Sequence, residues 1–210
     1  MSSTHGPTPP HDFDAFARWA LGAVVVNTHR GLYAEWLVAN ALGGTPFREE
    51  WAACDVLTPD LLTVEVKCTG MVQAWEPSPG RKRSSPQFDI TAKKRWLGHG
   101  NAYTDKPAIV AATYVFALHT CTDKTAYNVG IPEQWQFYVT SGRAVDNWPQ
   151  KTSITLSVLD KTPGVAKCSL DALADTARSV ADAPDAASQI NWAAHLLLPQ
   201  HAPVTDNTAR

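Results

Sequence analysis

Apolar residues recur along the chain at two different periods, and the period assigns each segment. From Asp12, which can cap a helix, Phe13, Phe16, Ala17, Ala20, Leu21 and Val24 fall at i, i+3, i+4, i+7, i+8 and i+11, the stripe of a helix face. After "NTH" comes "RGLYAEWLVANAL", rich in helix formers and closed by Gly43-Gly44, which predicts a second helix. The period then drops to two. "ACDVL" at 53 to 57 and "LTVEVKC" at 62 to 68 flank "TPDL", a turn composition, and predict a hairpin. "QFDIT" at 87 to 91 predicts a third strand, "TAKKRWLG" a short helix, and the apolar run "AIVAATYVFAL" at 108 to 118 a strand buried on both faces. "QWQFYVT" and "SITLSVL" alternate like half-buried strands, with Trp135, Phe137 and Val139 turned in against Gln134, Gln136 and Tyr138. Ser169 can cap a last helix with Leu170, Leu173, Ala174, Ala177 and Ala181 inward, and residues 183–198 can add another. Residues 1–11 and 199–210 have no periodicity and read as disordered tails, leaving one domain over 12–182.

Within this pattern one strand carries the wrong residues for a core. Glu65 and Lys67 project from one face of "LTVEVKC" and Val64, Val66 and Cys68 from the other, so one face is core and the other a polar site. A hairpin centred on Asp60 puts Asp55 beside Glu65. Two facing carboxylates are unfavourable unless a cation lies between them, and Lys67 with a divalent metal would supply one. In the second helix Glu35 shares its face with Leu32, Ala39 and Leu42, and a carboxylate on an inward stripe needs a partner. Oxygen ligands from Glu35, Asp55 and Glu65 suit Mg2+, with Mn2+ as its substitute, rather than zinc. A lone Glu-x-Lys on a strand is ordinarily a solvated pair and an Asp before Thr-Pro ordinarily a turn residue. The joint arrangement, a helix Glu followed by an Asp and then Glu-x-Lys across a tight turn, is what favours a site.

Composition narrows the partners. A formal net charge of -2 excludes a histone-like basic protein, so contact with nucleic acid must come from a local patch. Residues 81 to 95, "RKRSSPQFDITAKKR", hold six of the eighteen lysines and arginines (Arg81, Lys82, Arg83, Lys93, Lys94 and Arg95) against Asp89 alone, which makes them candidate phosphate contacts. No apolar run is long enough for a membrane span, and the N-terminus lacks a signal-like pattern, so the expectation is a soluble cytoplasmic protein without a membrane partner. The four cysteines have no zinc-finger spacing. Cys54 and Cys68 are expected as buried thiols on the face opposite Asp55 and Lys67.

Glu35 in "RGLYAEWLVANAL", Asp55 in "CDV" and "VEVK" at 64 to 67 resemble the motifs of the PD-(D/E)XK nuclease superfamily, in its usual chain order. The run "VEVKCTGMVQAW" with "QFDI" and "QWQFYV" is similar to a bacterial group assigned to that superfamily, over about residues 12 to 180. Cys54 stands where the superfamily's motif has its proline, a position without a metal-binding role. The resemblance implies an α/β restriction-endonuclease-like core, a mixed central sheet flanked by helices in the order αβββαβ. It implies a Mg2+-dependent nuclease hydrolysing phosphodiester bonds, foremost a DNA endonuclease of restriction, defence or repair. Asp55 and Glu65 would hold the metal with the Val66 carbonyl, Glu35 would complete or orient the site, and Lys67 would position the attacking water. Gln73 would orient a ligand or the lysine. With little room for a recognition domain, a homodimer or a companion protein is expected. The alternative is a catalytically inactive nucleic-acid-binding or interaction module on the same fold.

Overall fold

A computed structural model of the chain describes residues 13–47, 52–75, 85–181 and 190. The two expected tails, the added helix over 183–198 apart from Ile190, and Arg81, Lys82 and Arg83 lie outside the described residues.

Helix α1 (Phe13–Leu21) forms where the stripe predicts, yet none of its residues is buried; Phe13 and Trp19 are 71% and 80% exposed. The stripe does not face the core, because helices further along the chain already cover that face of the sheet. The first of these, α2 (Asn27–Leu42), starts three residues before the predicted segment and buries Ala34, Val38, Ala39 and Leu42. Gly43 ends it in the left-handed conformation (φ 64°), and the following N–H groups return to the Ala39 and Asn40 carbonyls, as a helix closed by glycine should.

Strand β1 (Thr45–Pro46), absent from the sequence prediction, leads to the hairpin of β2 (Val56–Leu57) and β3 (Thr63–Gly70). Its register, Val56 opposite Val64 and Leu57 opposite Thr63, is centred on Asp60 as predicted. Strand β4 (Gln87–Asp89) follows, then β5 (Thr113–His119), buried along its whole length, and β6 (Trp135–Ser141). Helix α3 (Gly142–Asn147), strand β7 (Ser153–Thr155), helix α4 (Leu156–Leu159), strand β8 (Ala166–Cys168) and helix α5 (Leu173–Val180) complete the described chain.

The central sheet has the order β1-β2-β3-β5-β6-β8; the β3–β5 pair is parallel and the rest antiparallel, so the fold is a mixed α/β one with helices against a mixed sheet. On one face Val56, Val64, Val66, Val115, Ala117, Phe137 and Val139 pack beneath α2 and α5, which contribute Ala34, Val38, Leu173 and Ala177. On the other face Leu57, Tyr114, Phe116 and Tyr138 meet Phe88 of β4, Ile154 of β7, Leu159 of α4 and Val145 of α3.

Several expectations are corrected by this second layer. Strand β4 joins β7 in a separate two-stranded sheet instead of entering the central one. "SITLSVL" is a strand only to Thr155 and then turns into α4, whose Leu159 caps the second core. Tyr138 is buried rather than solvent-facing, since β6 is covered on both sides. "TAKKRWLG" is not helical. It runs extended, bridging Lys93 to Ala108 and Trp96 to Tyr103, because a returning segment supplies its backbone partners. Helix α5 starts after Ala172, without a side-chain cap, so Ser169 does not cap it. Cys54 belongs to the second core and Cys68 packs on the first, so the two thiols are not on one face as expected; Cys54 precedes β2 and escapes its alternation. Among the described residues no helix is long and apolar enough to cross a membrane.

Candidate active site

Asp55 lies one residue before β2, where strand pairing stops. Its N–H donates to the Val64 carbonyl at 3.0 Å and its Oδ2 accepts from the Val66 N–H at 2.7 Å. The residue therefore clamps the two peptide groups that flank Glu65, although the strand pairing itself ends at Val56 and Val64 and does not run on to the expected Asp55–Glu65 pair. The residue after β1 fixes it from outside: the Phe47 N–H donates to the Asp55 carbonyl at 2.8 Å.

Glu65 is 2% exposed, so the face that carries Glu65 and Lys67 is not the open polar surface expected from alternation. It is covered because β4, β7 and the 91–108 segment pack over it. One oxygen of the carboxylate, Oε1, accepts from Lys67 Nζ at 2.6 Å and from Arg95 Nη2 at 2.7 Å. The other, Oε2, is buried and has no hydrogen-bond partner among the described residues. Burial pushes the Glu65 carboxyl up, but the charges of Lys67 and Arg95 outweigh it and hold the group down at about 2. Asp55 moves the opposite way: burial first, then the nearby charges of Glu65 and Glu35, raise it well above the ordinary range. Lys67 is depressed by burial but raised on balance by Glu65 and Asp55, so it is a charged donor at neutral pH and not a general base.

Glu35 is half-buried in α2, where it lines a largely apolar groove of about 460 Å³ with Leu32, Tyr33, Trp36 and Pro46. Its charge adds to the upward shift of Asp55, after burial and Glu65. Gln73 is half-buried beyond the end of β3. Its Nε2 donates to the Gly70 carbonyl at 2.9 Å, and its Oε1 is buried without a partner among the described residues. In the sequence Asp89 stands only as the one acid of a basic stretch, with no mark of a site residue. Burial, which works against ionisation, is outweighed there by hydrogen bonds from Thr91 and by the charges of Lys67 and Lys93, placing Asp89 in the field of the site lysine.

Lys93 and Lys94 are exposed, as a phosphate contact requires, whereas Arg95 is not: at 8% exposure it is inside, paired with Glu65. The extended backbone of this segment turns Arg95 inward; a sequence read as a helix gives no sign of that.

An all-oxygen donor set, with a bare, buried carboxylate oxygen on Glu65 beside Asp55, fits a hard divalent cation better than a soft one. The side chains are not gathered into a finished cage: among the described residues no three or more His, Cys, Asp or Glu come together closely enough to hold a metal ion. Lys67 and Arg95 instead partly neutralise the acids. No protein-family model matches the chain, and no curated protein is similar to it.

Proposed function

We propose that the chain is a divalent-metal-dependent nuclease of the PD-(D/E)XK type that hydrolyses phosphodiester bonds, with DNA as its substrate. The observation that carries this reading is the convergence of Asp55, Glu65 and Lys67 at the open end of one hairpin, with Oε2 of Glu65 buried and unpartnered. Asp55 and Glu65, with the Val66 carbonyl, would hold Mg2+ or Mn2+, which supplies polarisation of a phosphoryl oxygen and a more acidic water. Lys67 remains charged beside them and offsets negative charge at the phosphoryl group while orienting the attacking water. Glu35 completes the acidic environment from the helix side, and Gln73 stands at the end of the same strand with a free acceptor. Lys93 and Lys94 present cations on the surface near the site for the phosphate backbone.

A second reading, an inactive nucleic-acid-binding module, is favoured by the double occupation of Glu65 Oε1 by Lys67 and Arg95. Lys67→Ala separates the two. In the nuclease, turnover on plasmid or duplex in Mg2+ falls by about a hundredfold or more, while affinity measured by filter binding in Ca2+ stays near wild type. In the module the wild type cuts nothing and Lys67→Ala lowers affinity by about one phosphate contact.

A further inference from the structure

Arg95 is held far more tightly than a surface phosphate ligand. Its backbone is locked by two bonds to Thr104, from Arg95 N–H to Oγ1 at 3.1 Å and from Thr104 N–H to the Arg95 carbonyl at 2.8 Å. Outside that pair, the Ala108 N–H donates to the Lys93 carbonyl at 3.0 Å, closing a narrow return whose inward side chain is Arg95. The guanidinium then reaches both acid arms of the site: Nη2 donates to Glu65 Oε1 at 2.7 Å and Nη1 to the carbonyl of Ala52, three residues before Asp55, at 3.4 Å.

The form of that contact is unusual for its chemistry. A guanidinium facing a carboxylate tends to bind in a fork, one nitrogen on each oxygen, which would cover Glu65 completely. Here it shares Oε1 with Lys67, and Oε2 is left buried and bare. An uncovered carboxylate oxygen away from water is unfavourable unless a cation reaches it. Two donors on one oxygen also fix the carboxylate's rotation, so the bare oxygen has one direction.

From this geometry we infer that Arg95 is a positioning residue for Glu65: it anchors one carboxylate oxygen from within the fold and keeps the other oriented for a divalent cation, and it does not bind phosphate. The inference rests on the metal-dependent reading above and deepens it, since it assigns the orientation of the ligand to a residue outside the Glu-x-Lys motif.

The test is Mn2+ binding to the full chain, followed by the electron paramagnetic resonance of free Mn2+, for wild type, Glu65→Gln, Arg95→Gln and Arg95→Lys. Filter binding of duplex DNA in Ca2+ across a salt series accompanies it. Arg95→Gln is expected to weaken Mn2+ by about tenfold or more, the scale of losing a ligand's orienting partner. Arg95→Lys keeps the charge but not the span from Ala52 to Glu65, and should fall between, about threefold weaker than wild type. DNA affinity and its salt slope should not change. Wild-type Mn2+ affinity in Arg95→Gln would make the arginine a structural brace only and overturn the inference. If Arg95→Gln does not fold, Arg95→Lys decides alone, and Mn2+ binding as tight as wild type overturns it. Loss of DNA affinity with a salt slope smaller by about 0.9 would restore Arg95 as a phosphate contact. A wild type that binds no Mn2+ removes the metal-dependent reading itself, an outcome distinct from the other three.

Discussion

Arg30 and Arg95 are both buried, on opposite sides of strand β3, and they are partnered in opposite ways. Arg30, in the first turn of α2, lies on the side of Cys68 and Gly70; a Cβ on Gly70 would come within 2.8 Å of its Nη1, so a larger residue there would have to displace the guanidinium. Its donors go to neutral groups: Nη1 to the Val72 carbonyl at 3.0 Å and the Val25 carbonyl at 3.3 Å, and Nη2 to the Asn27 side chain. Arg95, on the side of Glu65 and Tyr114, meets a carboxylate. A guanidinium among main-chain carbonyls joins the start of a helix to the end of a strand and leaves no reactive atom behind. A guanidinium on one oxygen of a buried acid leaves the other oxygen exposed to whatever cation enters. The same residue type therefore acts as a brace on one side of β3 and as an electrostatic support on the other.

The largest expected effect tests the brace. Arg30→Met strands the buried Val72 carbonyl and removes the bonds to the part-buried Val25 and Asn27 oxygens, and should lower unfolding stability by about 2 kcal/mol or more, measured by urea denaturation, while the folded fraction keeps its Mn2+ affinity. A loss below about 1 kcal/mol would mean that the carbonyls find other donors, and a matching fall in metal affinity would mean that the two sides are not separable.

Next in size is the pH dependence of the Arg95 side. Glu65, held down at about 2, binds fewer protons folded than unfolded; its contribution is present above the ordinary carboxylate range and is lost as pH falls towards 2. Asp55 is raised, so it binds protons more tightly in the folded state; its contribution is present at low pH and is lost as pH rises through its elevated value. Denaturation curves across pH should show both slopes. Glu65→Gln should flatten the acidic one, though its overall level drops because Lys67 and Arg95 lose their partner, and Asp55→Asn the one above it. Unaltered slopes in both variants would sink the assignment of opposite shifts to these two acids.

The smallest effect concerns the thiols on either side. Burial pushes Cys68 up to about 12, against the pull of Arg30, and raises Cys54 well above its ordinary value with help from Asp55 and Glu65. At pH 8 the thiolate fraction of Cys68 is then on the order of one in ten thousand, so alkylation of native protein should leave both cysteines unmodified over minutes. Arg30→Met should release Cys68 before Cys54, as read by mass spectrometry of the labelled peptides. Equal release of both would indicate global opening instead of a loosened brace.

The features that can be read from residue order alone are local. Helix α2 and its glycine stop, the hairpin centred on Asp60 and the apolar run of β5 follow from period and turn chemistry, which act within a few residues. That Asp55 meets the peptide groups on either side of Glu65 is legible for the same reason, since a tight hairpin fixes its register over so short a span. Tertiary structure decided everything that needed a second layer. Whether the Glu65 face is open or covered depends on β4 and β7 arriving from residues 87 to 89 and 153 to 155. The helical stripe of α1 carries no mark of being left unburied, because amphipathicity records a preference for a partner and not its presence. Arg95 is the clearest case: as one of six cations in a basic stretch it looks like its neighbours Lys93 and Lys94. Only the bridges of its segment to Ala108 and Tyr103 turn it inward to a carboxylate thirty residues away in the chain. Charge and composition are properties of a residue, whereas the partner that gives a buried charge its role is brought by the fold.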